Sequence, residues 1–181
     1  MSETNTSSAS SPPLEVDVAI LDARWGHAVP DIETVIRRAA LAALGANVPP
    51  VCAGEISLAL VNDGEIRRLN RDYRQQDRPT NVLSFPGEAV ATKQGASPAM
   101  LGDVVIAFET VSAEADAQGK SLTDHLCHLV VHGVLHLLGY DHVAPAAADE
   151  MEGLEREVLG RLGISDPYAI PSRPLQAEEA P

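Results

Sequence analysis

Leu14, Val16, Val18 and Ile20 alternate with Glu15, Asp17 and Ala19, the period-two pattern of a strand that buries one face. Pro30 and Asp31 then open a stretch in which Ile32, Val35, Ile36, Ala39, Ala40 and Ala43 share one side of a helix that closes at Gly45. Ile56, Leu58 and Leu60 return to alternation as a second strand, and Asn62-Asp63 can cap a short helix rich in arginine. Pro79 halts that region, and Asn81 to Phe85 reads as a third strand ended by Pro86-Gly87. Val104, Val105, Ile106 and Ala107 are apolar on successive positions, the mark of a fourth strand covered on both faces. A helix from about Glu109 to Ala117 stops at Gly119, and another begins at Ser121 to Asp124 and carries Leu122, Leu126, Leu129, Val130 and Leu137. A last amphipathic helix, from about Ala146 to Leu162, uses Met151, Leu154, Val158 and Leu162. This order predicts an α+β fold: a small mixed four-stranded sheet packed with helices, with the largely apolar histidine-bearing helix at its centre.

Outside these elements the pattern fades. Residues 1–13, rich in Ser, Thr and Pro, read as a disordered tail, and 166–181, Pro-rich and acidic, as a mostly flexible one. A single domain is expected over 14–165, interrupted by a small, polar, flexible loop at 88–100. The N-terminus has neither the basic start nor the apolar run of a signal or anchor, so no membrane partner is expected. Cys52 and Cys127 form no paired motif, which favours free thiols in a reducing cytoplasm.

The chemistry is concentrated in His132-Gly133-Val134-Leu135-His136-Leu137-Leu138-Gly139-Tyr140-Asp141-His142. Residues four apart on a helix lie one above the other, so His132 and His136 can offer ring nitrogens to one ion. Gly139 can supply the left-handed turn that ends the helix and lets the chain return His142 to the same point. Three neutral nitrogens around Zn²⁺ leave a fourth tetrahedral position open, the condition for a catalytic metal. The spacing is that of the zincin-like proteases, H-E-x-x-H-x-x-G-x-x-H, but Gly133 stands where their glutamate takes a proton from the metal's water. The metal geometry is kept and the peptidase base is missing. A structural zinc would ask for a fourth protein ligand, and the nearby thiol, Cys127, falls on a different helical face.

Charge narrows the substrate only when its distribution is considered. The chain carries 13 Lys and Arg against 26 Asp and Glu, a net charge of −13 that by itself argues against nucleic acid. Eight of the acids, against three bases, lie between Ala144 and Pro181. Conversely Arg67, Arg68, Arg71, Arg74 and Arg78 fall together, opposed only by Asp72 and Asp77, and form either a local cationic patch or a solvated helix face.

Asn70 to Pro86 (NRDYRQQDRPTNVLSFP), Leu101 to Ile106 (LGDVVI) and His132 to His142 (HGVLHLLGYDH) together resemble the YbeY family, bacterial rRNA maturation factors described as single-strand-specific metallo-endoribonucleases. The resemblance spans roughly residues 15–170, with a longer 88–100 loop and extra tails. It implies a hydrolase of RNA phosphodiesters with one Zn²⁺ per chain, acting in the cytoplasm in 16S rRNA 3′-end maturation and ribosome quality control. Ribosomal RNA and the small ribosomal subunit are the implied partners, with a ribosomal protein or a maturation GTPase beside them. The family's zinc ligands map onto His132, His136 and His142, and the arginine of its Tyr-Arg pair, thought to serve RNA, onto Arg74. This suits the chemistry, because an anionic phosphodiester calls for a Lewis acid and a cation rather than for a glutamate base.

Other residues carry two readings each. His125 and His128, seven and four residues before His132, are either partners of the ligands or RNA contacts, or else ordinary core histidines. Asp141 is a base, a ligand-orienting group or a turn residue. Asp103 either accepts from a zinc histidine's second nitrogen or caps a strand end. Ser84, with no base beside it, reads as packing rather than as a nucleophile. Two functions of other classes stay open beside the nuclease: a metallopeptidase-like hydrolase with a non-standard base, and a zinc-stabilised ribosome-binding module.

Overall fold

The computed structural model describes residues 14–46, 54–87 and 99–169. The first alternating stretch is strand β1 (Leu14–Ile20). A five-residue helix α1 (Arg24–Ala28) follows, too short for a helical period to show in the sequence. Its Trp25 is fully buried, donates from Nε1 to the Val61 carbonyl at 3.1 Å and meets Phe108 edge-on. The next elements are α2 (Ile32–Leu44), β2 (Gly54–Val61) and α3 (Asp63–Arg74). Asn62 caps α3 as its residue type predicts, accepting from the Glu65 N–H at 2.9 Å. Then come β3 (Val82–Pro86), β4 (Ala99–Ala107), α4 (Phe108–Gln118), α5 (Leu122–Leu137) and α6 (Pro145–Leu162).

The strands form one mixed sheet in the order β1-β2-β4-β3, with β3 antiparallel to β4 and the other pairs parallel. Strand alternation divides the apolar side chains between two faces. Val16, Ile56, Leu58, Leu60, Val104 and Ile106 join α2, α5 and α6 in the main core. Val61, Leu83, Val105 and Ala107 instead meet Ile66 of α3 on the opposite face. The continuous apolar run of β4 is therefore explained by cover on both sides. Helix α5 lies within the main core, burying Leu126, Leu129, Val130, Val134 and Leu135.

Two expected boundaries move. Ala99 and Met100, expected in the loop, already pair with Gly54 and Glu55, because ladder hydrogen bonds need backbone rather than apolar side chains. Past α6, Asp166 to Ala169 dock on the body: Lys120 Nζ donates to the Pro167 carbonyl at 2.7 Å, and the Arg156 guanidinium stacks 4.9 Å over the Tyr168 ring. The expected N-terminal tail, positions 88–98 of the loop and residues 170–181 lie outside the described residues. No described helix is long and apolar enough to cross a membrane.

Candidate metal centre

Helix α5 starts where Ser121 accepts from the Asp124 N–H at 3.0 Å and ends in a Schellman motif. The Gly139 N–H bonds to the His136 carbonyl and the Tyr140 N–H to the Leu135 carbonyl, both at 3.1 Å, with Gly139 at φ +91°. That left-handed residue reverses the chain and returns His142 to the helix. One ligand-capable atom from each of His132, His136 and His142 lies within 4.8 Å of the others. The ring centroids are 4.6 to 5.4 Å apart.

The other ring nitrogens orient this group. His136 Nδ1 donates to the Tyr140 carbonyl at 2.9 Å, and His132 Nδ1 to the Glu155 carboxylate at 2.7 Å. With protons at both Nδ1 positions, the two Nε2 lone pairs face one another across 3.1 Å. Such an approach is repulsive by itself and attractive around a cation. Burial, then the neighbouring His132 ring, pushes the pKa of His136 down and favours the neutral imidazole that a metal requires. The donor set and its fixed tautomers fit a nitrogen-preferring divalent ion.

These histidines form one side of a cleft of about 510 Å³ that also takes in Arg74, Ser84, Asp141 and Val143. Arg74, the last residue of α3, donates from Nη2 to the Ser84 carbonyl at 3.2 Å. The rest of the arginine cluster is engaged locally: Arg67 with Asp77 at 2.8 Å, Arg68 with Glu65 at 2.7 Å, Arg71 with Asp72 at 3.0 Å, and Arg78 with Gln76 at 3.1 Å. Arg74 alone of the five lines the histidine cleft. Asp141 is exposed at the rim and accepts from the Val143 N–H at 3.0 Å, a turn contact. Ser84 donates to the Gly133 carbonyl at 3.2 Å, tying β3 to α5.

Gly133 acquires a second reason for being glycine. A Cβ there would come within 2.6 Å of Val104 Cγ1 and 3.2 Å of Ser84 Oγ, so the helix backbone rests directly on the sheet.

Asp103 does not take the part offered it. It is exposed and alternates with Val104 on β4, hence lies on the sheet face away from α5. The second nitrogens of His132 and His136 are taken by Glu155 and the Tyr140 carbonyl instead. His128 stands between the ligand group and the core, its Nε2 3.5 Å from Glu155 Oε2 and neither ring nitrogen hydrogen-bonded. His125 is buried and its Nε2 pairs with Glu114 at 2.8 Å, while Asn81 Nδ2 donates to the same carboxylate at 3.0 Å.

Glu155 and Tyr168 are the site residues the sequence did not single out. Glu155 is fully buried, and Tyr168 Oη–H donates to its Oε2. A signal existed: Glu155 stands four residues after Met151 and four before Leu159, an acid on the apolar face of α6. Burial would raise its pKa, yet the nearby His128 and the hydrogen bonds from His132 and Tyr168 hold it down to about 2, so it is a carboxylate. Because His128 is too distant for a good hydrogen bond, His132 and Tyr168 are the partners that matter. Burial and this carboxylate push Tyr168 up, which keeps it a donor.

The profile of the family described as Endoribonuclease YbeY matches residues 20–163. An Endoribonuclease YbeY of Azorhizobium caulinodans is 50% identical over 162 residues, covering 88% of this chain and 99% of the relative. One of Paramagnetospirillum magneticum is 51% identical over 158 residues, covering 86% and 96%. A solution structure from Thermotoga maritima, 23% identical, covers 86% of this chain and 99% of that one with a TM-score of 0.48, a loose likeness.

Proposed function

Since the chain belongs to the YbeY family of endoribonucleases, we propose that it is a zinc-dependent, single-strand-specific endoribonuclease whose site is the cleft between α5 and β3. The observation that carries this reading is the convergence of His132, His136 and His142 with Arg74 on one cleft. The three histidines would hold the ion. Bound there, zinc supplies a Lewis acid for a phosphoryl oxygen and lowers the pKa of a water.

The chain's own groups do the rest. Arg74 presents a planar fork of donors that suits a non-bridging phosphate oxygen. Asp141 is the one carboxylate among the described residues lining the cleft, and we assign it the acceptance of a proton through the oxygen not held by Val143. Gly133 argues against a peptidase, since it brings no carboxylate to the position from which the zinc proteases take their base. The cleft reaches solvent at the exposed Asp141, His142 and Val143, which suits a strand whose phosphates are accessible, and the motif resemblance points to the 3′ end of 16S rRNA on the small ribosomal subunit in the cytoplasm. A ribosomal protein or maturation GTPase would then deliver an acidic chain to RNA that it binds weakly alone.

The test combines metal analysis with a single-stranded RNA assay on wild type, chelated protein and His136→Ala. One zinc per chain and cleavage by wild type only are expected. Equal cleavage by all three would expose a contaminant and remove the nuclease reading, whereas zinc binding without cleavage would favour the ribosome-binding module.

A further inference from the structure

Carboxyl groups rarely lie wholly inside a protein, because taking so polar a group out of water costs more than most pairings return. Glu155 is such a group, set among Met151, Val158 and Leu159 of the main core. A buried ion pair is weak evidence of stabilisation, so the placement calls for another reason. Its geometry supplies one. Oε1 faces His132 Nδ1 at 2.7 Å and Oε2 accepts from Tyr168, so both carboxylate oxygens are occupied and the group's orientation is fixed.

We infer that Glu155 is the positioning residue of the metal centre: it holds the His132 proton at Nδ1, so that the Nε2 lone pair faces the ion, and Tyr168 anchors it from the C-terminal segment. The inference rests on reading the three histidines as a metal centre. A carboxylate behind a ligating imidazole fixes tautomer and ring angle and makes the ligand more basic. His136 receives only a neutral carbonyl from Tyr140 in the same place, and His142 sits on the exposed loop. The charged partner thus falls on one ligand of three. It also makes the C-terminal segment, 26 residues beyond His142 at Tyr168, part of the site.

Zinc affinity, measured by competition with a chromophoric chelator, separates this role from simple packing. Glu155→Ala should weaken zinc binding by about 10–100-fold, and Glu155→Gln, which keeps an acceptor but not the charge, by less. Tyr168→Phe should give a smaller loss still. ¹⁵N NMR of the metal-free wild type should show that the neutral tautomer of His132 carries its proton on Nδ1. Zinc affinity within twofold of wild type in folded Glu155→Ala, or a neutral tautomer protonated on Nε2 in the wild type, would overturn the inference. Should Glu155→Ala fail to fold by circular dichroism, Glu155→Gln and the wild-type NMR decide it. A wild type that binds no zinc would overturn the metal reading itself, while bound zinc that ignores Glu155 would overturn this inference alone.

Discussion

Along α5, His125, His128, His132 and His136 follow one another at steps of three, four and four residues, yet the first is enclosed and only the last two line the cleft that Arg74 shares. The side chains of His125 and His128 are 4% and 15% exposed, and that of His132 is 20%. At the enclosed end Glu114 takes His125 and is itself held by Asn81, so the imidazole serves as a buried link between α4, α5 and the start of β3. At the open end Nδ1 atoms are tied down and Nε2 atoms converge. Residue type and spacing are nearly the same at both ends; what the rest of the fold sets opposite the ring decides whether a histidine is structural or chemical.

The sharpest way to break this contrast is to remove one histidine from each end. His142→Ala should abolish stoichiometric zinc and RNA cleavage with little loss of folding, as read by metal analysis and thermal melting. His125→Ala should do the reverse, costing about 1–3 kcal/mol of stability by leaving a gap where the buried imidazole packed and removing its bond to Glu114, while zinc affinity stays within twofold. Zinc loss in His125→Ala would merge the two ends into one site.

Arg74→Ala should lower the cleavage rate about 10²–10³-fold, the usual cost of removing a donor to developing charge, with zinc content unchanged. Arg67→Ala, whose guanidinium is paired with Asp77, should change it by less than about twofold, as for most exposed pairs. Equal effects would return the arginines to an undifferentiated cationic patch.

Gly133→Ala tests the seam between the ends. Inserting a methyl 2.6 Å from a β-branched Val104 should cost about 1–3 kcal/mol in denaturant melts. An unaffected midpoint would mean that α5 can lift off the sheet freely.

The smallest effect concerns Cys127, at the enclosed end. Burial, then Asp124, pushes its thiol up to about 11. Its alkylation by iodoacetamide at pH 8 should therefore be at least about 100-fold slower in the native chain than in the unfolded one, followed by mass spectrometry of the peptide. Because the folded pKa is raised, the unfolded state loses this proton first. The thiol's contribution to folding stability is fully retained below pH 9 and erodes as pH climbs from there towards 11. Native alkylation as fast as unfolded would show that this end opens.

Much of the molecule is legible in its sequence because the relevant signals are local. Alternation through Val16, Val18 and Ile20, the stripe from Ile32 to Ala43 and the doubly covered run from Val104 to Ala107 each report their own burial. His132, His136, Gly139 and His142 lie within one helix and its exit turn, so their meeting follows from helix pitch and one left-handed residue. The short α1 and the first residues of β4 were silent, the one lacking a full period and the other apolar residues. Local pattern and spacing thus suffice for the longer helices, the four strands and the three-histidine group. Packing between elements is what sets Glu155 behind His132, brings Arg74 rather than Arg67 to the cleft, turns Asp103 away, and makes Gly133 the point where helix meets sheet. Each of these depends on side chains from separate elements meeting across the core, and no periodicity within one segment records what another segment will place against it.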